Sequence, residues 1–204
     1  MIQYSAMDEP PSSRAQRRLW LIASLVFVFL WSLPNLTFPI GRDQALYCVI
    51  GQGVLNGQRP YVDLWDNRPP TTFLIFLAIV KVFGNVMWSV GVVDILWLLC
   101  MSYFIFYFAD RYMGPVAAAL AVAVNTVWHC VAGYVHALVP STFVIFFVAA
   151  GFLLVWKEGM WTKLRHVGAG IMLGAAFWAT YNALVFLPLL LCLPYLDFSG
   201  IDQQ

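Results

Sequence analysis

Arg42, Asp43, Arg59, Asp63, Asp66 and Arg68 crowd into GRDQALYCVIGQGVLNGQRPYVDLWDNRPP, residues 41–70 of a chain that is only 10% charged. Carboxylates and guanidiniums are complementary chemical tools. A carboxylate within hydrogen-bond reach of a hydroxyl can take its proton. A guanidinium grips phosphate or carboxylate oxygens through its fork of N–H donors. The plain alternative is a solvated loop that carries the chain's few charges. Two features weigh against it. The charges alternate with Tyr61 and Trp65, aromatic residues suited to the headgroup level of a membrane. Pro69 and Pro70 stiffen the far end, where a loose loop would use glycine and serine.

Other polar residues sit inside apolar runs. Asp94 lies a few residues into one such run, where an ionisable group is costly and often functional. Near the cytoplasmic interface it could instead reach water, with Lys81 as a candidate partner. His129 and His136 flank the end of another run beside Trp128 and Tyr134 and read as interface residues, since no third metal ligand lies near them. Asn125 and Asn182 are candidates for hydrogen bonds between helices. Cys48, Cys100, Cys130 and Cys192 are widely spaced, form no C-x-x-C pair, and read as packing residues. Asn35 begins an Asn-Leu-Thr sequon too close to the membrane for a glycan.

These side chains need elements to position them. Leu46, Val49, Ile50 and Val54 recur at helical spacing, which predicts a short amphipathic helix over Asp43 to Gly57 lying on the membrane surface. Asp43 then falls in its first turn, the favourable end of the helix dipole for an acid, and Gly57 supplies a C-terminal stop. Around this loop run hydrophobic blocks: Leu19 to Pro39, Thr71 to Phe83, Val90 to Ala109, Val116 to Val131, Phe143 to Trp156, and Val167 to Leu196. The last is expected to break near Thr180, Tyr181 and Asn182 or to end at Pro188. At about 20 residues per span, the pattern predicts an all-α polytopic transmembrane bundle of six or seven spans over residues 19–196, with tails at 1–18 and 197–204. Gly168, Gly170 and Gly174, with the small residues from Ala117 to Ala123, mark expected close helix contacts.

Composition agrees with that class. The chain has 204 residues, 62% of them hydrophobic, too greasy to cover itself with polar side chains in water. A net charge of +1 argues against nucleic acid as a partner. Residues 1–18 are polar and do not read as a signal peptide, so the first apolar run is expected to stay as an anchor. Arg14, Arg17 and Arg18 place the N-terminus in the cytoplasm and residues 41–70 outside. Five clean spans would then put Lys157, Lys163, Arg165 and His166 outside as well, against the positive-inside tendency. Either one block does not cross, or local charge loses to packing.

The stretch GRDQALYCVIGQGVLNGQRPYVDLWDNRPPTTFLIF resembles the N-terminal signature of GT-C-type membrane glycosyltransferases, which take sugars from polyprenyl-phosphate donors; aminoarabinose transferase and the protein O-mannosyltransferases are examples. The later GAGIMLGAAFWATYNALVFLPLLL is similar to their glycine-rich span. The resemblance implies that Asp43 is the catalytic acid, serving as general base toward the acceptor hydroxyl or as electrostatic help for it. It implies that Arg68, before Pro69 and Pro70, contacts the donor phosphate. Arg42, Asp63, Asp66 and Tyr61 would be further candidates for binding sugar or phosphate. The chain departs from the class in three ways: Gln44 stands where a second acid is common, Thr180 where a lysine is common, and HALVPSTF lacks an acid. The class also has more spans. The expectation is thus the N-terminal half of such a transferase in a bacterial inner membrane, using a polyprenyl-phosphate sugar, with a second membrane chain as a candidate partner. The alternative is a non-catalytic module that binds polyprenyl lipid or scaffolds a larger complex. No cofactor is implied, and dependence on a divalent metal stays open because no ligand cluster is apparent.

Overall fold

The computed structural model describes residues 14–133, 138–156 and 162–186. Among them are six α-helices and two 3₁₀ turns, with only an isolated bridge between Pro60 and Leu64 in place of any strand. The helices are α1 (Arg14–Ser32), α2 (Arg42–Leu55), α3 (Pro70–Phe83), α4 (Met87–Gly133), α5 (Pro140–Trp156) and α6 (Thr162–Ala179); 3₁₀ turns follow α1 at Leu33–Leu36 and α6 at Tyr181–Phe186. The protein is an all-α membrane protein, as its composition predicts. Arg14–Leu36 and Met87–Val131 are long and apolar enough to cross a membrane, and Pro70–Phe83 and Pro140–Leu154 are shorter apolar helices. His136, Lys157, Pro188, Cys192 and the C-terminal tail lie outside the described residues, as does the N-terminal tail up to residue 13.

The chain forms two compact units, one from Met1–Phe38 with Gly91–Tyr134, the other from Pro39–Val90 with Val135–Gln204. In the first unit α1 runs to Ser32, and Pro34 converts its end into the 3₁₀ turn. Ser24 and Ser32 donate their hydroxyls to the Trp20 and Val28 carbonyls, both at 2.7 Å, so neither leaves a donor bare on an apolar helix. The two apolar runs 90–109 and 116–131 join in α4, which is broken at Gly114. There φ is +81°, a backbone that suits glycine, and Pro115 follows without an N–H to continue the ladder. The break is a reversal. Asp94 and His129 are 35 residues apart yet touch at 3.2 Å, whereas a straight helix would separate them by about 50 Å. The two limbs of α4 are therefore antiparallel. Leu98 and Phe106 of one limb, Ala118 and Val122 of the other, and Val28 of α1 form the core between them. Ala118, fully buried, confirms close packing at the small-residue patch.

Two polar contacts define the ends of this unit. At one end Arg17 meets Asp110 at 3.6 Å. At the other, the Asn35 amide donates to Asp94 at 3.0 Å, and a Cβ on Gly91 would stand 2.5 Å from the Asn35 carbonyl oxygen. The chain therefore leaves the unit beyond Leu36 and rejoins it at Gly91 at one and the same end.

In the second unit α2 lies on α3. The contact centres on Gly51, where a Cβ would approach the Leu77 nitrogen to 3.0 Å and the Phe76 carbonyl to 3.1 Å. The packed face of α2 is Gln44, Tyr47, Cys48, Ile50 and Gly51. Of the apolar residues that the sequence placed on one face of this helix, Ile50 is buried here, while Leu46 and Val49 are exposed. Gly57, with φ +85°, ends the α2 turn as expected. Pro69 and Pro70 start α3, and Gly84, with φ +77°, stops it. With 14 residues α3 is about 21 Å long, short of a membrane core of about 30 Å. The Thr72 hydroxyl donates to the Ala179 carbonyl at 3.4 Å, tying the start of α3 to the end of α6. Helices α5 and α6 form a hairpin in which Gly151 faces the Ala169 carbonyl at 3.5 Å and Gly168 faces Leu154 at 3.3 Å. Gly170 and Gly174, the expected Gly-x-x-x-Gly contact, face nothing within 4 Å. The break after Ala179 falls at Thr180, where the sequence placed it.

Candidate functional site

Asp43 sits in the first turn of α2, whose N-cap, Gly41, offers no side-chain cap. Its carboxylate therefore stands beside bare N–H groups and the positive end of the helix dipole. One turn later on the same face is Tyr47, fully buried, with its ring edge on Phe76 at 5.0 Å and tilted against Phe73 at 6.2 Å. Arg68 arrives from the other side of the loop, immediately before the prolines that begin α3.

The loop between is built to deliver Arg68. Asp63 accepts the Arg59 backbone N–H at 2.8 Å and its Nε at 3.2 Å, closing a tight exposed turn. Those two bonds, the side-chain one first, hold the Asp63 carboxyl below its usual range. Tyr61 takes up φ +66°, rare for a residue with a side chain, and its hydroxyl donates to the Arg68 carbonyl at 2.7 Å. Partial burial, then Tyr181 and Asp66 nearby, push the Tyr61 hydroxyl above its ordinary value, so it remains a donor. Asp66 accepts the Arg68 backbone N–H at 2.9 Å.

The guanidinium so delivered meets two partners. One Nη donates to Asp43 Oδ2 at 3.1 Å, across 25 residues of sequence. The other donates to the Tyr47 hydroxyl, and the guanidinium carbon lies 5.4 Å from the centre of the Tyr47 ring. Asp43 and Arg68 stand on the wall of a cavity of about 530 Å³. Ser141, Thr180 and Asn182 give that wall hydroxyls and an amide; Val139, Pro140, Val144 and Ile145 give it an apolar side. A carboxylate, a cation, neutral polar groups and an apolar surface thus face one space.

Of the residues singled out in the sequence, the structure brings Asp43 and Arg68 together and places Tyr61 and Asp66 behind Arg68 as supports. Arg42 is exposed, and Asp63 serves the Arg59 turn; neither lines the cavity. Sequence reasoning missed Tyr47, although its spacing of four from Asp43 puts both on one helix face. Asn182, a candidate for hydrogen bonds between helices, lines the cavity. Cys48 is buried beside Tyr47, and burial pushes its thiol up to about 11, in keeping with a packing role. Among the described residues no group of three or more His, Cys, Asp or Glu side chains gathers to hold a metal ion.

In the first unit Asp94, fully buried, accepts from Asn35 and pairs with His129, rather than with the expected Lys81. It lies at the end of α1 opposite Arg17, not at the arginine end where the sequence reading put it. His129 is the partner of this buried carboxylate.

The fold is that of a helical membrane protein, with an acid and a cation converging beside a mixed polar and apolar cavity. A family model described as dolichyl-phosphate-mannose-protein mannosyltransferase matches residues 67–203, more than half of the chain, and the chain belongs to that family. The match includes Arg68 and the cavity residues from 139 to 183 but begins after Asp43. No curated protein and no solved structure matches the chain.

Proposed function

We propose that this protein transfers a sugar from a polyprenyl-phosphate donor to an acceptor hydroxyl on the extracytoplasmic side of a bacterial inner membrane. The observation that carries the reading is the meeting of Asp43 and Arg68 at 3.1 Å on the cavity wall. The acceptor hydroxyl gives its proton to the Asp43 carboxylate as its oxygen attacks the anomeric carbon. The bond from that carbon to the phosphate oxygen breaks, and the lipid phosphate leaves with the bonding pair. Arg68 supports the negative charge that grows on it. The apolar wall of Val144 and Ile145 suits the first isoprene units, and the hydroxyls and amide opposite suit the sugar.

The arginines at the start of α1 orient the chain with its N-terminus in the cytoplasm and the Asp43–Arg68 loop outside. A second membrane chain supplying further spans is compatible with this role, because the helices expose many large apolar side chains, among them Leu96, Leu120, Val124 and Ile171.

The direct test is Asp43→Asn, which keeps the shape of the side chain and removes the base. Transfer of radiolabelled sugar from a polyprenyl-phosphate donor in membranes should fall by about a hundredfold or more, with membrane insertion and expression unchanged. A variant as active as the parent removes Asp43 from the chemistry. Retained binding of a polyprenyl phosphate with no transfer by the parent itself favours a lipid-binding module.

A further inference from the structure

Arg68 is held at four points, and its two side-chain partners are of opposite kinds. Asp43 has its side chain 44% exposed and carries the same sign of charge as a phosphate. A pair this open to solvent is weak, so phosphate oxygens can take its place on the guanidinium. Tyr47 is neutral, fully buried, and wedged by Phe73 and Phe76. An arriving anion neither repels it nor has room to move it. Asp43 must also part from Arg68 to reach an acceptor hydroxyl, and at that moment Arg68 loses the ion pair that helps fix it.

We propose that Tyr47 is a positioning residue for donor binding: its hydroxyl keeps the Arg68 guanidinium in place while a polyprenyl phosphate displaces Asp43. The displaced carboxylate is then free toward the acceptor only once the phosphate is seated, so donor binding precedes activation of the acceptor. This rests on the assignment of Arg68 to the donor phosphate. Arg68 has five N–H donors, and after one goes to Tyr47 enough remain in the planar fork for two parallel bonds to phosphate. Tyr47 acts through Arg68.

Tyr47→Phe is the informative variant, because it keeps the ring against Phe73 and Phe76 and removes only the hydroxyl. One measurement needs no donor. Phenylglyoxal modifies arginines, and mass spectrometry of the full chain in lipid nanodiscs can follow Arg68 with the exposed Arg59 as internal reference. Arg68 should react severalfold faster in Tyr47→Phe while Arg59 keeps its rate. The second measurement is binding of farnesyl phosphate. Tyr47→Phe should weaken it about tenfold, the order expected for losing one hydrogen bond to a charged group. Binding of uncharged farnesol should not change, and in an Arg68→Gln background Tyr47→Phe should have no further effect. An unchanged Arg68 rate overturns the proposal. So does an equal loss for farnesol or in the Arg68→Gln background, which would mark Tyr47 as a packing residue only. If the parent binds farnesyl phosphate no better than farnesol, it is the donor assignment of Arg68 that falls, and the phenylglyoxal rates still decide whether Tyr47 fixes Arg68.

Discussion

At the scale of single residues, charge in a chain so poor in it was a legible signal, and partnership was not. Asp43 and Arg68 stood out because each was a rare charge next to a helix start, and the fold joins them. Asp63 stood out equally and does something else, because Arg59 four residues earlier claims both its oxygens. Sequence shows that an acid is present; only the path of the loop shows which cation reaches it first. The pH behaviour of Asp63 follows from that. Its folded value is lowered by the Arg59 side chain and then the Arg59 backbone N–H, so the turn is stabilised while the carboxylate is ionised. That contribution is present above the ordinary value of 3.8 and fades as pH falls through the lowered folded value. A carbon-13 titration of the Asp63 carboxyl should give a midpoint below 3.8 in the parent and one returned close to it in Arg59→Ala. Equal midpoints in the two proteins would show that the turn does not hold Asp63 as described.

At the scale of elements, the helices themselves were legible from apolar runs and from glycine and proline punctuation. Gly57, Gly84 and the Gly114–Pro115 pair each end or reverse a helix where the chain loses its hydrophobic period. The faces were less legible. Helical periodicity gave α2 an apolar face expected to lie on the membrane surface and did not say which face meets protein, because in a membrane protein apolar side chains gain nothing by choosing protein over lipid. The packed face is then set by close approach, which small residues permit. This explains why Gly51 rather than Leu46 marks the α2–α3 contact, and why a glycine motif alone did not reveal which glycines touch. Gly51→Ala puts a methyl against the backbone of Phe76 and Leu77, where no side chain can turn aside. It should cost about 1–3 kcal/mol in thermal or denaturant unfolding in detergent. Gly170→Ala, with open space around it, should be neutral or stabilise by up to about 1 kcal/mol through helix propensity. If Gly51→Ala unfolds at the parent's temperature, the two helices do not meet there as closely as described.

At the scale of the whole molecule, the two units predict a course of the chain across the membrane that would remove the conflict the charges posed. Within the first unit the chain departs after Asn35 and returns at Gly91 at the same end, so residues 36–91 make no net crossing. The second unit gives the same parity independently. Asp43 and Arg68 share a cavity with Val139 and Thr180, so an even number of crossings separates Arg68 from Val139. The two antiparallel limbs of α4 supply that number, leaving none for α3, which is also too short to span. The topology this parity predicts has α3 as an outer, juxtamembrane element beside α2, with α1, the two limbs of α4, α5 and α6 as the crossings. With the proposed orientation this count would put Arg14, Arg17, Arg18 and Arg111 in the cytoplasm together with Lys163, Arg165 and His166, in line with the positive-inside tendency. Hydropathy could not distinguish α3 from a span, since a helix covered by protein and one covered by lipid use the same side chains. Single cysteines in a background with the native four replaced by serine provide the test, read with a membrane-impermeant maleimide on intact cells. Asn85→Cys, in the exposed turn after α3, should label from outside along with Gln58→Cys, while Lys163→Cys should label only after the membrane is opened. Were Asn85→Cys protected like Lys163→Cys, α3 would be a true span, and the side of the membrane given to every later element would reverse.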